Sequence, residues 1–206
     1  MVNVPWDIKR INSGYNYYGG GEKGSKALYK EIAQLVGFEP DYQVVVEWDA
    51  VGEIVKAMGG VYYDVPRNMI FDDPYQDLHI HQTKGYRLLS GSDVMQVLRY
   101  RHDTDSRYVY ADGDLGRIKT QQSLLKAMIE QLLQLKNVTK LCDFARVVKT
   151  SVTSDLTFEE MLWFGSQAVM GGLKIENVNF VTMPNTNKSC YSRVYHRTQT
   201  YVTPNA

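Results

Sequence analysis

At 206 residues, 44% of them hydrophobic and 22% charged, the chain is long enough for one domain with a substantial core. Lysine plus arginine equals aspartate plus glutamate, so the net charge is zero, which argues against a nucleic-acid partner and its usual basic excess. No run of about 20 apolar residues and no signal-peptide pattern occurs. The two cysteines, Cys142 and Cys190, are too few for a four-ligand zinc site, and whether they pair is open.

Helical and extended patterns alternate along the chain. Tyr15, Tyr17 and Tyr18 either line a sugar or lipid groove or pack half-buried. The run Gly19-Gly20-Gly21 precedes a helix but lacks the Lys-Ser/Thr of a nucleotide-binding loop, so a turn is favoured. Leu28, Ile32, Leu35 and Val36 predict a helix over 25–36, stopped by Gly37. The β-branched run 42–48 predicts a buried strand. A helix over 49–58 follows, with Asp49 as N-cap and Gly59-Gly60 as its end. Val61–Val65 reads as a strand ended by Pro66. Residues 67–84 show no clear period and read as a long excursion. Within it Asp72-Asp73-Pro74 predicts a turn. His79 and His81 alternate as on a strand and are surface histidines unless a third ligand completes a metal site. Ser92 is expected to cap a helix through Val94, Val97 and Leu98. Thr157 with Glu160 forms a capping box ahead of a helix over 161–170. Residues 178–183 read as a strand, and 185–206 as an extended or loose tail. The order implies an α/β fold, a layered αβα sandwich with a central mixed sheet over 1–184.

Residues 99–122, RYRHDTDSRYVYADGDLGRIKTQQ, carry the most chemistry. Arg99 and Arg101 precede an acidic, glycine-containing loop; Arg117 and Gln121 follow, one helical turn apart. The helix is expected to run to about Lys136. Ile118, Leu125, Met128, Ile129 and Leu132 form its apolar stripe, opposite Lys119, Ser123, Lys126, Glu130 and Gln134. Arg117 and Gln121 fall on the apolar side, where an arginine needs an anionic partner. That partner is either a carboxylate such as Asp112 or Asp114, or a bound phosphate, whose oxygens suit the planar guanidinium fork.

This segment resembles the signature of the LytR–CpsA–Psr family of bacterial cell-envelope proteins: R-x-R, a short loop, D-x-G-R, then R-Q-Q. KRINSGYNYYGGG (9–21), DYQVVVEWDAVGEIVKAMGGVYYDVP (41–66) and GYRLLSGSDVMQVLRYRHD (85–103) resemble further family segments in the same order. The resemblance implies a phosphotransferase. It would move a glycopolymer such as teichoic acid or capsule from a polyprenyl-pyrophosphate lipid onto peptidoglycan, with Mg²⁺ as cofactor. Arg99, Arg101, Arg117 and Gln121 match the pyrophosphate-binding positions, and Arg10 a further basic position. Asp114 or Asp103 would act as base or order an arginine, with ordering favoured. The polyprenyl chain would lie in an apolar groove, for which Leu125, Met128, Ile129 and Leu132 are the candidate wall. The resemblance also implies an extracytoplasmic location and a membrane anchor upstream.

Two departures stand out. Thr120 occupies the place of the family's second arginine. The start, MVNVPW, resembles the segment that follows the family's S-I-P-R-D-T motif, so the metal-binding carboxylates would lie upstream; alternatively VPWD is itself a degenerate P-R-D with Trp6 in place of Arg. Metal ligands are therefore left unassigned. The alternatives to an enzyme are a non-catalytic polyprenyl-phosphate binding module and an envelope-related transcriptional regulator.

Overall fold

A computed structural model gives the fold and describes residues 2–4, 7–11, 13–104, 110, 114–134, 141–193 and 195–204, with side chains at all of these except 2–4, 7–9, 114 and 141–143. The chain divides into two compact units, one made of residues 1–41 and 181–206, the other of residues 42–180.

In the first unit, β1 (Val2–Val4) pairs antiparallel with β2 (Asp7–Lys9). A short helix α1 (Ser13–Tyr17) leads through the glycine run to α2 (Gly21–Val36). The run is a turn, with Gly19, Gly20 and Gly21 all at positive φ and the Gly21 amide donating to the Tyr15 hydroxyl at 3.0 Å. Tyr15 is half-buried, while Tyr17 and Tyr18 are exposed. Gly37 ends α2 in the left-handed region at φ 82, where its amide bonds the Ala33 carbonyl.

The second unit opens with β3 (Val44–Val46), which pairs with a later strand but leaves all three valines exposed. The buried strand expected here is overturned: hydrophobicity favours a strand without saying what covers it. Glu47 occupies the N-cap position of helix α3 (Trp48–Met58) without a side-chain capping bond, and Asp49 lies inside the first turn, favourable to the helix dipole, rather than at the cap. Strand β4 (Val61–Val65) alternates buried and exposed along its length, with Tyr63 inward and Tyr62 outward.

Residues 67–84 are not an excursion. They hold β5 (Met69–Asp73) and β6 (Leu78–Gln82), a hairpin, and β7 (Gly85–Leu89) then pairs with β4. The alternation was disguised because one buried position is polar. Gln82 is 4% exposed, and its amide donates to Asp93 Oδ1 at 2.9 Å and Gln96 Oε1 at 2.8 Å. The turn at Asp73 is as expected: its carboxylate accepts from the Tyr75 amide and the Gln76 side chain.

Helix α4 (Gly91–Arg99) is capped by Ser90, not Ser92, through a reciprocal box with Asp93. Helix α5 (Asp114–Leu132) ends four residues before the expected Lys136, which lies outside the described residues. Its inward face carries Thr120, Leu124 and Met128, while Leu125 is 47% exposed. The stripe is thus rotated by about one residue, because Leu124 rather than Leu125 enters the core. Then follow α6 (Leu141–Ser151), β8 (Val152–Ser154), which is the partner of β3, and α7 (Phe158–Met170). Helix α7 starts at the Thr157–Glu160 capping box read from the sequence. Residues 178–183 form no strand; a 3-10 turn, Ile175–Asn177, precedes them.

The chain returns to the first unit with β9 (Asn185–Ser192) and β10 (Arg197–Pro204), paired antiparallel along their full length. The stretch expected as an extended or loose tail is a closed hairpin. Pairing of Cys142 with Cys190 lies outside the described residues, because the Cys142 side chain is not among them.

The α/β class holds. Among the described residues the strands pair as five two-stranded antiparallel ladders rather than one continuous mixed sheet. The core lies in the second unit, where Val55, Val61, Val65, Met69, Ile80, Leu89, Val94, Val97, Tyr100 and Leu124 are almost fully enclosed. Each such side chain contributes about 1.5–3 kcal/mol by leaving water. No helix of the described residues is long and apolar enough to cross a membrane.

Candidate functional site

Helix α4 ends by turning into extended chain at Tyr100, at φ −62 and ψ 132. Side chains of an extended segment alternate between faces. Tyr100 points into the core and is fully buried, so Arg99 and Arg101 flank it on the other side. This is the physical content of the R-x-R spacing.

Residues 100–104 are fastened to β5. Asp103 Oδ1 accepts from the Ile70 amide at 3.0 Å and from the Tyr100 hydroxyl at 2.8 Å. The Thr104 amide donates to the Ile70 carbonyl at 3.0 Å, and the Asp72 amide to Thr104 Oγ1 at 2.8 Å. Burial, reinforced by the neighbouring Asp103 carboxylate, pushes the Tyr100 phenol well above its ordinary range, so it stays a donor. Asp103 therefore orders the backbone that carries the two arginines. The Arg67 guanidinium lies 5.8 Å from the Tyr100 ring centre and 5.4 Å from that of Tyr110, a cation–π contact on both.

The second half of the site comes from α5. A side chain at Gly116 would meet Tyr110 Cβ at 2.7 Å, so the first turn of α5 and Tyr110 approach closely only because that residue is glycine. Arg117 and Gln121 follow on the half-buried side. Gln121 Nε2 donates to the Leu98 carbonyl at 3.0 Å, tying α5 to the last turn of α4.

Arg99, Arg101, Arg117 and Gln121 line one cavity of about 580 Å³. Phe71, Asp73, Gln76 and Leu78 of the β5–β6 hairpin complete its wall, with Trp48 and His102. Phe71, Gln76 and Leu78 escaped sequence reading because the hairpin itself did, and Asp73 was legible only as a turn residue. His102 had a signal, its place directly after R-x-R; its ring meets Phe71 edge to face at 5.2 Å.

Among the described residues neither Arg99 nor Arg101 lies within ion-pair distance of a carboxylate. The Asp73 carboxylate in the wall is engaged by Tyr75 and Gln76. Like charges gathered in one cavity repel, and an anion between them relieves the repulsion.

Other expected site residues fall elsewhere. Arg10 is exposed and belongs to the first unit. Asp114 opens α5, and its side chain, like that of Asp112, lies outside the described residues. The residues of the proposed lipid wall are unevenly buried: Met128 is in the core, Ile129 and Leu132 are half-buried, and Leu125 is exposed. His79 and His81 do point the same way, both onto Asp72, at 2.7 and 2.9 Å. Among the described residues no group of three or more His, Cys, Asp or Glu is arranged to hold a metal ion.

Fold and cavity together define an α/β domain with an arginine-lined pocket. The model of the LytR_cpsA_psr family matches residues 1–204, and the chain belongs to that family. It is 31% identical over 170 residues to the cell wall biosynthesis protein LcpA of Corynebacterium glutamicum, covering 81% of this chain and 30% of LcpA. It is 25% identical over 162 residues to the regulatory protein MsrR of Staphylococcus aureus, covering 76% of this chain and 44% of MsrR. The chain thus spans less than half the length of these relatives. The crystal structure of TagV from B. subtilis shares the fold, with a TM-score of 0.70 at 21% identity over 96% of this chain and 68% of TagV.

Proposed function

We propose that the cavity binds the diphosphate of a polyprenyl-linked glycopolymer, and that the protein transfers the polymer to peptidoglycan at the outer face of the membrane. The observation that carries this reading is the convergence of Arg99, Arg101, Arg117 and Gln121 on one cavity. Family membership and the likeness to a cell wall biosynthesis protein support it.

Phosphoryl transfer asks a protein for positioning and charge neutralisation rather than covalent chemistry. A sugar hydroxyl oxygen of peptidoglycan bonds to the phosphorus that carries the polymer. The bond from that phosphorus to the bridging oxygen breaks, the lipid monophosphate leaves with the electron pair, and the hydroxyl proton passes to solvent. The three guanidinium groups hold the diphosphate and stabilise charge gathering on the bridging oxygen. Gln121, whose Nε2 donates to the Leu98 carbonyl, holds α5 against the end of α4 so that the three arginines share the cavity.

Calorimetric titration with a polyprenyl pyrophosphate, with and without Mg²⁺, tests the reading. Binding is expected for the parent chain and at least a tenfold loss in Arg117→Ala, with little change in melting temperature. Absence of binding, or an equal loss of fold in the variant, overturns it.

A further inference from the structure

A second cavity, of about 550 Å³, lies between β4 and the C-terminal half of α5. Its chemistry is opposite to that of the arginine pocket. Tyr62 and Tyr86 stack at its edge with ring centres 5.9 Å apart and planes inclined by 18°. Both stay open to solvent, 47% and 71% exposed. Asp64 is the cross-strand partner of Tyr86, and the cavity is lined further by Glu130 of α5 and Gln134 just past its end.

The platform is held rigidly. Gln131 Oε1 accepts from the Tyr62 amide at 2.9 Å, and its Nε2 donates to the Tyr62 carbonyl at 3.1 Å. A side-chain amide thus pairs with β4 as a neighbouring strand would, fixing the tyrosine's backbone to α5. On the inward face the Tyr63 hydroxyl bonds Ser123 Oγ at 2.6 Å.

We propose that this cavity is a binding site for a neutral saccharide chain. A pyranose ring has an apolar C–H face, which matches a flat, preordered aromatic surface. Its rim of hydroxyls donates to carboxylate and amide oxygens such as those of Asp64, Glu130 and Gln134. Among the described residues no lysine or arginine lines the cavity. Two carboxylates without a cation repel phosphate or uronate groups, so the charge selects an uncharged stretch of glycan. Gln121 lines the arginine pocket and Ser123 lines this cavity, and side chains two residues apart on a helix point to nearly opposite faces. The saccharide site is therefore separate from the anion pocket and does not depend on it. Ordinary outward tyrosines on an edge strand need neither the Gln131 clamp nor a polar cavity beside them.

The test is an NMR titration of the full chain with chitotetraose, a neutral oligosaccharide. Saturable shifts are expected at residues 62–66, 86 and 130–134, with at least tenfold weaker binding in Tyr62→Ala and Tyr86→Ala. Both variants should bind polyprenyl pyrophosphate as the parent does. If a tyrosine variant loses the fold, the Glu130→Ala/Gln134→Ala double variant, altered only on the exposed helix surface, must show the weakening. No saturable binding by the parent, undiminished binding in the folded variants, or shifts confined to the arginine pocket each overturn the proposal. Loss of diphosphate binding by the parent overturns the anion reading alone.

Discussion

Gln121 Nε2 and the Leu98 carbonyl, 3.0 Å apart, join the helix that carries Arg117 to the end of the helix that delivers Arg99. The bond satisfies one of the carbonyls that α4 leaves open at its C-terminus. Gln121→Ala removes it, and should lower unfolding free energy by about 1 kcal/mol while weakening diphosphate binding. Urea denaturation and calorimetry on one preparation check both. A stability loss with unchanged binding would make the residue purely structural.

Asp103 is 7% exposed and serves two donors with one oxygen. Asp103→Ala leaves the buried Tyr100 hydroxyl and Ile70 amide without that acceptor, an expected cost of about 2–3 kcal/mol. Asp103→Asn can present an oxygen in the same place and should cost less. The order of the two urea midpoints checks this, and an Asn variant as unstable as the Ala variant would contradict it.

The Asp72–His79 pair gives the β5–β6 hairpin a pH dependence. The hydrogen bond between them holds the Asp72 carboxyl below its ordinary 3.8 and His79 above its ordinary 6.5. The Asp72 contribution is present above the ordinary carboxyl value and is lost as the pH falls through the lowered one. The His79 contribution is complete below 6.5 and is lost as the pH rises through the raised value. The interaction is therefore strongest in mildly acid solution. An NMR titration should find His79 above 6.5, and Asp72→Asn should move it down.

Two glycines at the α3–α4 contact should respond with opposite signs. A Cβ at Gly91 would lie 2.4 Å from the Gly52 carbonyl oxygen, a backbone atom with no room to yield. Gly91→Ala is expected to destabilise by about 1–3 kcal/mol. At Gly52, inside α3, the nearest atoms are 3.9 Å away. Gly52→Ala should therefore stabilise by up to about 1 kcal/mol through helix propensity. Thermal melts of the two variants decide the matter.

Local chemistry made part of this protein legible from sequence alone. Gly37 and Gly59 stop helices because a left-handed residue is needed there. Thr157 and Glu160 announce α7 through a reciprocal cap, and Pro66 marks the end of β4. The set Arg99, Arg101, Arg117 and Gln121 was readable from spacing and family pattern, and these residues do meet in one cavity. What packs against each element was decided only in the folded chain. Leu124 rather than Leu125 enters the core, β3 keeps its valines exposed, and Gln82 occupies a buried place by spending its amide on Asp93 and Gln96. The Asp103 fastening to Ile70 and the Gln131 clamp on Tyr62 join residues 33 and 69 positions apart. No short-range pattern encodes such contacts, because their free energy exists only once the partner elements are packed together.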